Sequence, residues 1–237
     1  MIFNNIFFIL HKPQLSENIG SCARAIKNFN FKNLLIVNPK PNFPNDKILA
    51  TSVGAKNIIK NAKVFNNLEK SLSNIDILIA TSARFRNKNI KHISLEDLSA
   101  INFNKRIGFL FGSEASGLTN NEVSYADYTL QIPSSKKFRS LNLSHSLIII
   151  AHIVSSLISK KKIKFNKSRK IKSATKKEVM NMLNFCINNL EKKNFFKQPV
   201  KKPIMLENLR SIFYKMELSK KEIRILSSVF AGLIKNP

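Results

Sequence analysis

Short runs of β-branched and aromatic residues recur along the first part of the chain, at Ile6–Leu10, Leu34–Val37, Asp76–Ala80, Ile107–Phe111 and Tyr128–Ile132. Helix-like stretches separate them. From Ile19 to Phe29 the apolar residues Ala23, Ile26 and Phe29 share one face, and Asp46–Lys60 and Leu143–Ser159 have the same period. Strands that alternate with helices restrict the fold to an α/β domain built on a largely parallel sheet. In such a sheet ligands bind beyond the carboxyl ends of the strands, so the loops that leave each strand are the places to look for chemistry.

The pattern changes after residue 159. Eight basic residues and no acid lie between Lys160 and Lys172, which reads as an exposed basic linker over 160–173. Beyond it no strand signal returns. Thr175-Lys-Lys-Glu178 and Ser219-Lys-Lys-Glu222 are capping boxes, in which the hydroxyl and the carboxylate satisfy free amides at a helix start. Apolar residues follow each at helical spacing: Val179, Met182, Leu183 and Cys186, then Ile223, Leu226, Val229 and Phe230. Between them Pro203 suits the first turn of a third helix carrying Met205, Leu206, Leu209, Ile212 and Phe213. The expected organisation is a domain at 1–159, the linker, and a small helical extension at 174–237. So small a unit needs a surface to dock on, either the first domain or a second protomer.

Charge bears on the partner. The chain holds 40 Lys and Arg against 14 Asp and Glu, a net +26, which excludes an ordinary acidic enzyme. Residues 1–159 carry +10 and residues 160–237 carry +16. A polyanion is the usual counter-charge, with nucleic acid the first candidate, although abundant Lys, Asn, Ile and Phe also fit AT-rich codons. With 43% hydrophobic residues the chain has ample material for a core. The apolar stretch Leu143–Ile158 is interrupted by Ser144, His145, Ser146, His152, Ser155 and Ser156, so it reads as a buried helix rather than a membrane span. The N-terminus lacks the basic region and cleavage site of a signal peptide, and the expected location is the cytoplasm. Cys22 and Cys186 sit in no ligand spacing, so neither a disulfide framework nor a metal site is expected.

Four segments at strand ends remain: Ser16 to Arg24, Thr81 to Arg84, Phe111 to Leu118, and Ile132 to Ser144. A fifth signal, the capping box Thr119-Asn-Asn-Glu122, starts a short helix and leaves Gly112–Leu118 as a loop. N-I-G-x-x-x-R (Asn18 to Arg24), F-G-x-E-x-x-G-L (Phe111 to Leu118) and I-P…S-L-N-L-S (Ile132 to Ser144) resemble, in order and spacing, the three signature motifs of the SPOUT superfamily, in its TrmH-like 2′-O-ribose methyltransferase group. Thr81-Ser-Ala-Arg84 and the tail from Leu206 to Leu233 are similar to the TrmJ branch, which methylates tRNA at cytidine or uridine ribose.

That resemblance implies a C-terminal trefoil knot, a homodimer whose active site lies between protomers, and S-adenosylmethionine as cofactor. Carried over to this chain, cofactor contacts are expected from Thr81, Ser82, Ala83, Gly112, Ile132, Arg139, Ser140 and Leu141. The implied catalytic set is Arg24, Ser140, Asn142 and Glu114. Arg24 is expected to face the other protomer's cofactor and, because a guanidinium stays protonated, to stabilise charge before it could act as a base. The implied substrate is the first nucleotide of a tRNA anticodon loop. Ribosomal RNA, or RNA binding without turnover, are the alternatives.

Two positions depart from the family pattern: Ser113 stands where arginine is usual, and Arg139 where the TrmJ branch commonly has serine. Other residues have plainer readings. Cys22 is expected to pack as a small hydrophobe, and His145 and His152 as packing or hydrogen-bonding residues. Phe195 and Phe196, beside Lys192, Lys193 and Lys197, could stack on bases, but an anchor at a helix end is the favoured reading.

Overall fold

The computed structural model describes residues 3–82, 90–135, 137, 139–160 and 173–235. Its elements, in chain order, are β1 (Phe3–His11), α1 (Ser16–Asn28), β2 (Phe31–Val37), α2 (Asp46–Thr51), α3 (Lys56–Lys60), β3 (Lys63–Phe65), α4 (Leu68–Ser71), β4 (Ile77–Thr81) and β5 (Lys91–Ile93). Then come β6 (Ile107–Phe111), α5 (Asn120–Val123), β7 (Tyr128–Leu130), α6 (Leu143–Lys160), α7 (Lys176–Lys192), α8 (Lys202–Lys215) and α9 (Lys220–Lys235). Among the described residues seven strands form one sheet in the order β3-β2-β1-β6-β4-β7-β5, and every pair is parallel. The α/β expectation holds.

A parallel sheet must be covered on both faces, so its strands are continuous apolar runs whose side chains point alternately to the two faces. Phe8, Leu10, Ile77, Ile79, Phe109 and Phe111 point into one core with α1 and α6, where the Phe8 ring stacks on Phe109 and Phe111 at 6.0 and 6.5 Å between centroids. Ile9, Leu78, Ala80 and Leu110 point into the other, with Val123 and Tyr125. Ala174, Val179 and Tyr214, all from the tail, are buried in that second core. The helical extension therefore docks on its own sheet and supplies part of its second layer.

A buried ion pair pins this docking. Lys176 reaches Asp127, which also accepts from the Leu78 amide at 2.7 Å, while the Lys176 amide donates to the Ile75 carbonyl at 2.8 Å. Burial pushes the Asp127 carboxyl up and the Lys176 ammonium down, and each charge opposes the other's shift. The Tyr214 ring lies 4.7 Å from the ammonium.

Several expectations need adjusting. β3 and β5 carry no signal in the sequence, because each is a three-residue edge strand with two residues exposed or nearly so. The stretch Asp46–Lys60 is two short helices, broken where Gly54 takes φ +74°. The strand expected at Tyr128–Ile132 stops at Leu130. All three capping boxes form as read. In the tail Val179, Met182, Leu183 and Tyr214 are buried, whereas Met205, Ile212 and Val229, read as apolar-face positions, are exposed. The basic strip falls outside the described residues from 161 to 172. Among the described residues no helix is long and apolar enough to cross a membrane.

Candidate active site

The chain leaves β1 toward β2 on one side of the sheet and leaves β6 toward β7 on the other, so a topological switch point lies between β1 and β6. Beyond the carboxyl ends of β4, β6 and β7 opens a cleft of about 600 Å³. Thr81, Ser82, Gly112, Ile132, Arg139, Ser140 and Leu141, all expected at the cofactor, line it together with Glu114. Ala83 and Arg84 lie outside the described residues.

The walls of the cleft are tied together by hydrogen bonds to backbone carbonyls. Thr81 Oγ1 donates to the Leu110 carbonyl at 3.0 Å, and the Ser82 amide to the Leu130 carbonyl at 3.1 Å, which locks the exits of β4, β6 and β7 to one another. The loop after β6 folds back on itself through the Gly117 amide, which donates to Ser113 O at 2.9 Å. A β-carbon at Gly112 would lie 2.3 Å from the Gly117 carbonyl carbon, so only glycine allows this fold-back. Gly117 itself takes φ +65°. Ser113, at the family's arginine position, is turned inward, and its hydroxyl pairs with Ser116 at 2.8 Å.

Glu114 links this loop to α1. Its carboxylate accepts from the Gln14 amide at 2.8 Å, the Leu15 amide at 3.3 Å and Asn18 Nδ2 at 2.8 Å. Asn18 Oδ1 in turn accepts from Asn142 Nδ2 at 2.9 Å, and Asn142 Oδ1 caps α6 by accepting from the Ser144 amide at 2.8 Å. One chain of side chains, Glu114 to Asn18 to Asn142, thus joins all three motifs. In this arrangement Glu114 and Asn142 position the loops. Asn18 sits inside the first turn of α1 rather than ahead of it, and bridges the other two.

Arg24 is exposed on α1 and is not among the residues that line the cleft of its own chain. Cys22, two residues earlier and on the opposite face of the helix, is fully buried; burial pushes its thiol up, and the Glu114 carboxylate adds to the shift, so it packs as a hydrophobe. His152 packs edge-on against Phe29 at 5.4 Å, and His145 is exposed. Among the described residues no group of three His, Cys, Asp or Glu could hold a metal ion.

The sequence reading missed His11 and Lys12, at the end of β1. His11 Nδ1 lies 3.3 Å from Glu122 Oε1, and Lys12 Nζ lies 3.0 Å from the same atom. Burial lowers the His11 pKa, with Lys12 adding to that and Glu122 opposing it. Burial also pushes Glu122 up, but the Thr119 amide, the Lys12 ammonium and the adjacent His11 outweigh it and hold the carboxyl below its usual range. Glu122 was legible as a cap; its second task was not, since Lys12 is 110 residues away in sequence.

The SpoU rRNA Methylase family matches residues 5–152, more than half of the chain and the whole span that builds the cleft. The chain belongs to this family. Within it, a tRNA (cytidine/uridine/adenosine-2'-O-)-methyltransferase TrmJ from Pseudomonas aeruginosa is 30% identical over 243 aligned residues, covering 96% of this chain and 93% of that protein. A tRNA (cytidine-2'-O-)-methyltransferase TrmJ from Methanocaldococcus jannaschii is 36% identical over 152 residues, which span 62% of this chain and 66% of that relative's length. The crystal structure of TrmJ from Z. mobilis ZM4 superimposes with a TM-score of 0.87 at 28% identity, covering 97% of this chain and 99% of that one. The likeness to family members thus extends through the helical tail, beyond the residues of the family match.

Proposed function

We propose that this protein is an S-adenosylmethionine-dependent tRNA 2′-O-ribose methyltransferase, acting as a homodimer on the first nucleotide of the anticodon loop, cytidine or uridine. The observation that carries the reading is the convergence of all three motif loops on one cleft at the carboxyl ends of the strands, in a chain similar over nearly its whole length to TrmJ proteins.

The residues fit the cofactor. A cleft of about 600 Å³ suits a ligand of that size, and the Gly112 fold-back brings main chain, with no side chain between, to its wall. Thr81, Ser82, Gly112, Ile132, Arg139, Ser140 and Leu141 would hold it, with Ala83 next in the chain. When bound, the group supplies an electrophilic methyl. The chain's own part is to place a ribose 2′-hydroxyl in line and to favour its loss of a proton. Arg24 supplies positive charge for the developing alkoxide, and Ser140 orients the ribose or the cofactor. Glu114 and Asn142 hold the loops that carry these groups.

Because Arg24 is exposed and lies off the cleft of its own chain, the reading needs a second protomer to bring it there. Ile148, exposed on α6, which packs beside α1, offers an apolar position for that contact. The trefoil knot of the SPOUT fold would form around the loops at 81–82, 112–118 and 131–142. The division into a methyltransferase domain at 1–159, a basic linker at 160–173 and a helical extension at 174–237 is part of the same proposal, with the extension gripping tRNA in the cytoplasm.

The test is transfer of labelled methyl from S-adenosylmethionine to unmodified total tRNA, beside ribosomal RNA, since the family takes its name from the latter. Label on a 2′-oxygen of the anticodon loop is expected, with a drop of at least about 100-fold for Arg24→Ala, the scale seen when one transition-state donor is removed. Label confined to ribosomal RNA would move the substrate. No label on either RNA would sink the enzymatic reading.

A further inference from the structure

The connection between α7 and α8 presents an exposed aromatic ring among lysines that neither the core nor the cleft uses. α7 ends in a left-handed cap at Asn194, φ +53°, with the Asn194 amide donating to the Glu191 carbonyl at 2.9 Å and the Phe195 amide to the Leu190 carbonyl at 3.0 Å. This cap fixes where Phe195 stands. Its ring meets Phe196 edge to face, 5.3 Å between centroids and 87° between planes, yet Phe195 keeps 52% of its surface exposed. The anchor reading of the sequence therefore fails for Phe195. Phe196, half-buried and with Lys202 Nζ at 5.7 Å from its ring, is what braces it.

Charge says what would cover the ring. Five lysines, at 192, 193, 197, 201 and 202, lie between residues 191 and 203, against the single acid Glu191, which pairs with Lys202 at 2.6 Å. Across a two-fold contact such a turn would repel its own copy, so a second copy of this chain is a poor occupant. An unpaired nucleotide carries what the surface lacks, a flat π-face for the ring and phosphates for the lysines.

We infer that Phe195 is a stacking platform for an unpaired base of the RNA substrate, with Lys192, Lys197 and Lys201 holding the adjoining phosphates. This deepens the proposed function and rests on it. Stacking on a pre-placed ring tolerates any base, so the platform contributes affinity and register while the cleft selects the reacting ribose.

The chain contains no tryptophan, so Phe195→Trp gives an emission signal from this one site. In the full-length protein, Phe195→Ala and Phe195→Leu are each expected to weaken tRNA binding by roughly 5- to 100-fold with an unchanged salt dependence, because a stacked ring releases no counterions. Lys197→Gln should instead flatten that dependence by about 0.7 of a unit. Phe195→Trp should retain affinity and be quenched by tRNA and by a short unstructured oligoribonucleotide. Circular dichroism on each variant checks folding. Wild-type affinity in Phe195→Ala or in Phe195→Leu, or tryptophan emission unmoved at saturating tRNA, overturns the platform. Methyl transfer by the wild-type protein, measured alongside, separates the two failures: transfer with no Phe195 effect removes the platform alone, whereas quenching without transfer to any RNA leaves the platform and removes the enzyme.

Discussion

At the scale of single residues, the cleft depends on groups that hold loops more than on groups that could react. Glu114 accepts three hydrogen bonds from the segment 14–18, two of them from main-chain amides. Glutamine has one acceptor oxygen, so Glu114→Gln should leave a donor unpaired. The expected cost is about 1–3 kcal/mol in urea unfolding, with methyl transfer falling as the loop loosens. His11 gives a pH signature. Its folded-state pKa is lowered from 6.5, so below that pH the unfolded chain binds a proton that the folded chain refuses. Stability should therefore fall as the pH drops through and below about 6.5, and thermal melts from pH 7.5 to 5.5 should show a shallower fall in His11→Gln. The residue types of the motifs were legible in the sequence. Their pairing was not, because Glu114 and Asn18 are 96 residues apart and Asn18 and Asn142 are 124 apart.

At the scale of elements, the tail is a layer of the sheet's covering and not a free appendage. Lys176 and Asp127 are both buried, so removing one partner strands the other. Lys176→Ala is expected to destabilise the protein by about 3–5 kcal/mol, measured by denaturant unfolding. Pairing Lys176→Met with Asp127→Asn, which keeps an acceptor for the Leu78 amide, should recover most of that loss. Helix starts were readable throughout, since a capping box is a contact between residues three apart. The edge strands β3 and β5 were not, because what makes Lys63–Phe65 and Lys91–Ile93 strands is the neighbour each pairs with.

At the scale of the molecule, the charge of +26 suits the RNA substrate proposed for it, a polyanion. Binding of tRNA should lose at least about 1,000-fold in affinity between 50 and 200 mM monovalent salt, as expected for six or more phosphate contacts. Anisotropy titrations across that range would test it, and a flat response would remove the phosphate contacts from the account. Truncating the tail is a poor way to ask the question, because it would also expose Val123, Tyr125 and Leu78. Substituting exposed lysines leaves that core intact.

The alternation of apolar runs, the capping residues, the glycines and the order of three motifs determined the fold class and the family expectation, because each is written in residues close along the chain. Tertiary structure alone decided which face of the sheet the tail covers, that Glu114 and Asn142 brace while Arg24 lies off the cleft of its own chain, and that Phe195 stands in solvent. Those are matters of which distant surfaces meet, and burial is shared between partners rather than carried by either sequence segment.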